Sequence, residues 1–212
     1  GQAGQNICKS IANMSNIRTV ILDEGKGIPK CVSHESYEQN VPKLGKKLKL
    51  GKEQDIWFIV CGAGMIASTT LAVLEQIQER NVRVALVSPD PFLLSKTQTK
   101  HNRMVWNVLQ EYARSGMINS LWLFDNREIG NIVGQGTIQN YYKNVNEAIA
   151  NVLMNILWFK ETKPVMGSFH ESKDISRICS VSVGNIQNHA QNARHRSYGS
   201  MGRLRPGRAR II

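Results

Sequence analysis

Apolar and polar segments alternate along the chain in a way that predicts strands and helices in turn. Short apolar runs with β-branched residues are typical of strands that are buried on both faces. The predicted strands are residues 17–22, 56–61, 82–87 and 118–124. The predicted helices, which repeat apolar side chains every three or four positions, are residues 6–14, 66–80, 97–115 and 137–160. This order predicts a doubly wound, mostly parallel α/β sheet with helices on both faces.

Residues 55–90 are the clearest unit, because they read as strand, glycine turn, helix and strand. A glycine turn that opens a helix lets the backbone approach a phosphate closely. From Gly62 to Ala67 the turn reads Gly-x-Gly-x-x-Ala, and Asp90 ends the next strand, which is the pattern of dinucleotide-binding proteins. An NAD(P)-binding oxidoreductase is therefore one candidate, although His101 and His170 are isolated in sequence and form no evident catalytic pair.

Composition and charge divide the chain into a folded part, residues 1–184, and an Arg-rich flexible tail, residues 185–212. The net charge is +11, and the segment from His189 to Ile212 has six arginines without any acid or lysine. These are Arg194, Arg196, Arg203, Arg205, Arg208 and Arg210. A basic tail of this kind favours binding to nucleic acid or to an acidic protein surface.

The hydropathy pattern predicts no membrane segment, since no apolar run reaches the roughly 18 residues that a spanning helix needs. The first residues also lack the basic and apolar segments of a secretory signal. Four widely spaced cysteines without a Cys-x-x-Cys pair indicate reduced thiols and neither a disulfide framework nor a zinc site. We therefore expect a cytoplasmic protein.

Three segments resemble the tubulin/FtsZ superfamily. The start, Gly1-Gln2-Ala3-Gly4-Gln5-Asn6-Ile7, is similar to that family's first nucleotide loop, which a strand precedes in the family. Residues 84–90 resemble the strand and loop that follow the family's phosphate turn, and residues 118–126 resemble the strand that ends near the sugar. Tyr142 and Asn146, spaced i and i+4, correspond to the tyrosine that stacks on guanine and the asparagine that hydrogen-bonds the base.

The resemblance extends to about Gly184 and implies a nucleotide-binding domain that lacks the family's first strand and second domain. It implies that GTP or GDP is the ligand, if a ligand is bound at all, and that the chain self-associates. The implied nucleotide-binding residues are Gly1, Gln2, Ala3, Gly4, Gln5, Asn6, Gly62, Ala63, Gly64, Asn126, Tyr142 and Asn146.

The expected GTPase activity is weak or lost. Met65 and Ile66 stand where the family's phosphate loop has residues that let the backbone wrap the phosphates. In this family a loop acid from the next subunit orients the attacking water, and Glu171 and Asp174 are the candidates for that role.

A second function class remains open, namely a non-catalytic structural or adaptor protein. In that case the tubulin-like domain is a rigid block, and the basic tail attaches it to an acidic partner or to nucleic acid. By analogy with divergent tubulin relatives of phages and plasmids, such a chain could be a virion component, present in the host cytoplasm or in the virion.

Overall fold

Strands and helices alternate along the chain in the computed structural model, which describes residues 1–48, 55–133, 137–162, 177–181 and 210–211. The strands are β1 (Arg18–Thr19), β2 (Asp23–Glu24), β3 (Gly27–Ile28), β4 (Asp55–Cys61), β5 (Asn81–Ser88), β6 (Ser120–Asp125), β7 (Ile178–Val181) and β8 (Arg210–Ile211). The helices are α1 (Gln2–Met14), α2 (His34–Gln39), α3 (Gly45–Leu48), α4 (Thr70–Glu75), α5 (Lys96–Ser115), α6 (Asn126–Val133) and α7 (Ile138–Glu161). Two 3-10 helices cover Met65–Thr69 and Pro91–Leu93.

The main sheet is parallel, with strand order β1-β8-β4-β5-β6-β7. Its centre is the four-stranded part from β4 to β7, in which β4 pairs with β5 over all seven of its residues. At one edge, the backbone of Arg210 and Ile211 pairs with both β1 and β4. The predicted α/β class, with a parallel sheet flanked by helices, is therefore confirmed.

Side chains along each central strand point alternately into two cores, as the period of two requires. On β4, Ile56, Phe58 and Val60 belong to the core that also contains buried residues of α4 and α5. Trp57 and Ile59 belong to the other core, with residues of α1, α6 and α7. Burial on both faces explains why these strands are apolar at almost every position.

The predicted helix at residues 66–80 is wrong in length and type. The segment begins as a 3-10 helix, and the α-helical part, α4, has only six residues. The Thr69 hydroxyl donates a 2.7 Å hydrogen bond to the Ile66 carbonyl, and side-chain bonds of this kind compete with the regular helical pattern. β-branched Ile66, Thr69 and Thr70 further lower the helical propensity.

Several short helices and strands differ from the elements that the sequence pattern predicted. The expected strand at residues 17–22 is reduced to β1, and α2 and α3 lie between it and β4, where no helix was predicted. α6 was not predicted; it begins directly after β6, where the Asp125 carboxylate accepts the Arg127 N–H at 2.8 Å. This side-chain bond is the usual signal for a helix N-terminus.

The predicted tail, residues 185–212, lies outside the described residues except for Arg210 and Ile211. The backbone of these two residues forms β8 within the main sheet. Within the described ranges, no helix is long and apolar enough to cross a membrane.

Gly116 ends α5 with φ +82°, the left-handed conformation in which glycine commonly ends a helix. We expect Gly116→Ala to lower the free energy of unfolding by about 1–2 kcal/mol, because an L side chain is strained there. Urea denaturation measures this difference. The control is Gly45→Ala, where an added methyl group would meet no atom within 4 Å. Equal stabilities of the two variants would contradict the prediction.

Candidate functional site

The carboxyl ends of three neighbouring parallel strands bring the predicted site residues to one edge of the sheet. β4 and β5 are aligned so that Cys61 pairs with Val87, and β5 and β6 so that Ser88 pairs with Asp125. The glycine turn therefore follows β4 at the same edge where Asn126 follows β6. Ligands of open parallel sheets bind outside this edge, so it is the candidate site.

α1 begins at the same edge, beside the glycine turn. A methyl group on Gly1 would lie 3.3 Å from Cγ2 of Ile66, and one on Gly4 would lie 3.3 Å from the carbonyl oxygen of Ile59. Glycine at these positions thus allows α1 to pack closely against β4 and the turn. The predicted loop is already helical from Gln2 onward, and its N-terminal N–H groups are suited to an anion.

Side chains in the first turns of α1 bond to one another and to a neighbouring loop. The Gln2 amide donates to Oδ1 of Asn6 at 3.0 Å, and Lys26 Nζ lies 3.4 Å from Oε1 of buried Gln5. Ala3 is half-buried. Lys26 is therefore a cation that sequence reasoning missed near the predicted phosphate end of the site.

The glycine turn is tight at one end and open at the other. A methyl group on Gly62 would overlap the side chain of Asn102, whereas one on Gly64 would meet nothing within 4 Å. Ala63 is buried, and Met65 is exposed. The backbone is accessible only at Gly64 and beyond, so little of the turn is available to wrap a phosphate.

Asn126 is one of two asparagines near this edge whose side-chain oxygen has no hydrogen-bond partner among the described residues; the other is Asn102, beside Gly62. Asn126 is buried, and its unpaired oxygen is Oδ1. Buried polar atoms are nearly always paired, because an unpaired one costs about 1–3 kcal/mol. An unpartnered acceptor at the carboxyl edge is compatible with a donor group on a ligand.

Two tyrosines at the start of α7 lie next to Asn126. The Tyr141 hydroxyl donates to the Asn126 carbonyl at 3.4 Å, and the rings of Tyr141 and Tyr142 meet edge to face at 5.2 Å. Tyr142 is 52% exposed, so its ring is available for stacking, whereas Asn146 one turn later is buried. The structure thus brings Asn126 and the tyrosine pair together at one corner.

Electrostatics at this corner favour hydroxyl groups over phosphates. Burial raises the pKa of Tyr141, and the carboxylates of Asp90 and Asp125, together with Tyr142, raise that pKa further. These acids attract hydroxyl donors and repel anions. A phosphate is better placed toward α1 and Lys26, and a sugar toward Asp125 and Asn126.

A small cleft of about 50 Å³ opens between residues 20–22 and residues 58–61, beside Gly1 and Gly4, and is partly open to solvent. Its walls are mostly apolar, and Cys8, which lines it, is buried so deeply that the pKa of its thiol rises to about 11. Apolar walls and a neutral thiol do not suit a charged group.

His101 is not an isolated surface residue, as its sequence position suggested, but is buried beside the glycine turn. Its Nδ1 lies 2.8 Å from the Gly62 carbonyl and its Nε2 lies 2.9 Å from the Ser68 hydroxyl, which also contacts His34 Nδ1 at 2.9 Å. No local signal could have revealed this cluster, since its members are 33 and 34 residues apart.

The pKa of His101 is lowered, mainly by burial and secondly by the charge of His34, against the opposing effect of the Gly62 carbonyl. The folded protein therefore binds fewer protons than the unfolded chain just below the ordinary pKa of about 6.5. We expect neutral His101 to make its full contribution to the free energy of unfolding above that pH. This contribution should decline as the pH falls toward the lowered pKa.

Urea denaturation between pH 5 and pH 8 tests this pH dependence. In the His101→Asn variant, the free energy of unfolding should fall less between about pH 6.5 and pH 5, because the variant lacks the group that titrates there. An unchanged decline in the variant would show that other groups cause it.

Several predicted site residues lie outside the described residues: His170, Glu171, Asp174, Arg194, Arg196, Arg203, Arg205 and Arg208. For Arg210 only the backbone position in β8 is described. The expected hydrolytic and tail-binding roles therefore stay predictions.

Comparison with known proteins gave no match to a protein-family model, to a curated protein or to a solved structure.

Proposed function

We propose that the chain is a tubulin/FtsZ-like domain that binds a guanine nucleotide across the carboxyl edge of its sheet. The observation that carries this proposal is the buried, unpartnered Oδ1 of Asn126 at the corner formed with Tyr141 and Tyr142. A ribose hydroxyl is a suitable donor for this oxygen, and the exposed Tyr142 ring is a suitable surface for a base.

The phosphates are assigned to the other end of the edge, at the N-terminus of α1 and the open side of Gly64. Helix N–H groups and Lys26 supply positive potential there, and the Asp23 carboxylate, 3.7 Å from the Gly1 nitrogen, opposes it. The glycine turn contributes less than a full phosphate loop, because Ile66 packs against Gly1. We therefore propose that hydrolysis is weak or lost, so that the nucleotide acts mainly as a structural ligand.

A thermal-shift panel with GTP, GDP, ATP, NAD and no ligand tests the proposed ligand class. At a free nucleotide concentration 100-fold above Kd, binding should stabilise the fold by about 2.7 kcal/mol. For a chain of this size, that corresponds to a rise in Tm of roughly 5–10 °C with GTP or GDP. No shift with millimolar guanine nucleotide would contradict the proposal, and a shift with NAD alone would favour the dinucleotide-binding alternative.

A further inference from the structure

A serine hydroxyl lies between two imidazole rings on the face of the sheet covered by α4 and α5. Ser68, on the 3-10 helix after the glycine turn, is half-buried and contacts His34 from α2 and His101 from α5, each at 2.9 Å. The two rings are held against one another, with centroids 4.0 Å apart. Three separate elements therefore meet at this hydroxyl.

For neutral His101, the Gly62 carbonyl determines the direction of these hydrogen bonds. The Gly62 carbonyl can only accept, so Nδ1 of His101 carries the hydrogen and Nε2 of neutral His101 has the free lone pair. The Ser68 hydroxyl then donates to that Nε2 and accepts from the Nδ1–H of His34. His101 is thus a base that is oriented toward a hydroxyl by a third group.

A nucleophile, a base within hydrogen-bond reach and a group that orients the base are the parts of nucleophilic catalysis. We propose that Ser68 is a nucleophile for small carboxylic esters, with His101 as its general base. His34 donates its N–H to the Ser68 hydroxyl and thereby orients that hydroxyl toward His101. The lowered pKa of His101 keeps its Nε2 unprotonated at neutral pH.

In the first step, Ser68 Oγ attacks the ester carbonyl carbon while its proton passes to His101 Nε2. The bond to the leaving oxygen breaks, and that oxygen takes the proton from Nε2 to leave as an alcohol. In the second step, water attacks the acyl group on Ser68 and gives one proton to Nε2. The carboxylic acid leaves and the proton returns to Ser68 Oγ, so the net reaction is ester hydrolysis.

This cluster uses none of the groups assigned to the sugar and base of a nucleotide. Asn126, Tyr142 and Asn146 belong to α6 and α7, whose buried residues lie in the core on the opposite face of the sheet. A failure to bind nucleotide would therefore not count against a nucleophilic Ser68. Equally, an unreactive Ser68 would not count against nucleotide binding.

Labelling of the full chain with a fluorophosphonate probe, read by peptide mass spectrometry, tests the proposal. The probe loses fluoride, its phosphorus bonds to Ser68 Oγ, and the hydroxyl proton passes to His101. We expect one adduct per chain, at Ser68, and none in Ser68→Ala. Ser115→Ala, which removes an exposed serine hydroxyl bonded only to a backbone carbonyl, should label as the wild type does. No adduct at Ser68 would overturn the proposal.

The labelling rate in variants and its dependence on pH test the role of His101 as general base. His101→Asn should slow labelling by about 100-fold or more, and His34→Asn should slow it by a smaller factor. The wild-type rate should rise with pH to a plateau with a midpoint below about 6.5, since only neutral His101 accepts the proton. A rate that keeps rising into alkaline pH would overturn the assignment of His101 as base, even if His101→Asn does not fold.

Discussion

Replacing Phe124 with alanine should lower the free energy of unfolding by about 3–5 kcal/mol, which is the usual cost of truncating a large buried aromatic side chain. Phe124 is fully buried on β6, in the core that α1, α6 and α7 share with the sheet. It pairs with Val87 on one side and Val181 on the other, so it lies in the interior of the four-stranded centre. Chemical denaturation with urea measures the loss.

The matched control for Phe124 is Phe92, which is 79% exposed. Its ring has the Arg127 guanidinium 5.0 Å from its centroid, a contact worth about 0.5–1 kcal/mol at an exposed site. Phe92→Ala should therefore cost no more than about 1 kcal/mol. A similar loss in both variants would contradict the described placement of β6 in the core.

Removing the Asn126 side chain should weaken guanine-nucleotide binding by roughly 10–100-fold while leaving the free protein as stable as before or more stable. The first effect follows because a donor on the ligand loses its acceptor, at about 1–3 kcal/mol. The second follows because Asn126→Ala removes a buried oxygen that has no partner. Nucleotide titration and urea denaturation of the same variant measure the two effects.

Asn131→Ala is the control for this variant, because Asn131 lies on the same helix, α6, and is exposed. It should change neither binding nor stability. A marked loss of stability in Asn126→Ala would indicate that its side chain is paired inside the protein, and the argument for a ligand at that corner would then fail.

Three of the four central strands, β4, β5 and β6, were predictable from sequence because both of their faces are largely buried, whereas β7 was not predicted. On β4 and β5 most side chains are apolar, so the positions of these two strands follow from the apolar runs. The length of β1 was overestimated because residues 20–22 are also apolar. These residues line the cleft and do not extend the strand. An apolar run indicates that a segment is buried. Whether the segment pairs as a strand depends on a neighbouring strand, which the run does not specify.

The candidate site was predictable only where the sheet itself aligns its residues. Gly62 and Asn126 reach one edge because parallel strands end together, which the strand pattern already implied. Tyr141 was not singled out, although its hydroxyl bonds to Asn126 across 15 residues. The contacts of Ser68 with His34 and His101 depend on how α2 and α5 pack. That packing cannot be inferred from the spacing of residues in the sequence.

Calorimetric titrations of nucleotide-free protein with GDP and with ADP show directly whether the carboxyl edge is a guanine-nucleotide site, because they measure affinity, stoichiometry and base preference together. We expect one GDP per chain and binding of ADP at least about 10-fold weaker, a difference of about 1.4 kcal/mol. Equal affinity for GDP and ADP, or no binding at millimolar GDP, would contradict a guanine-nucleotide site at the carboxyl edge.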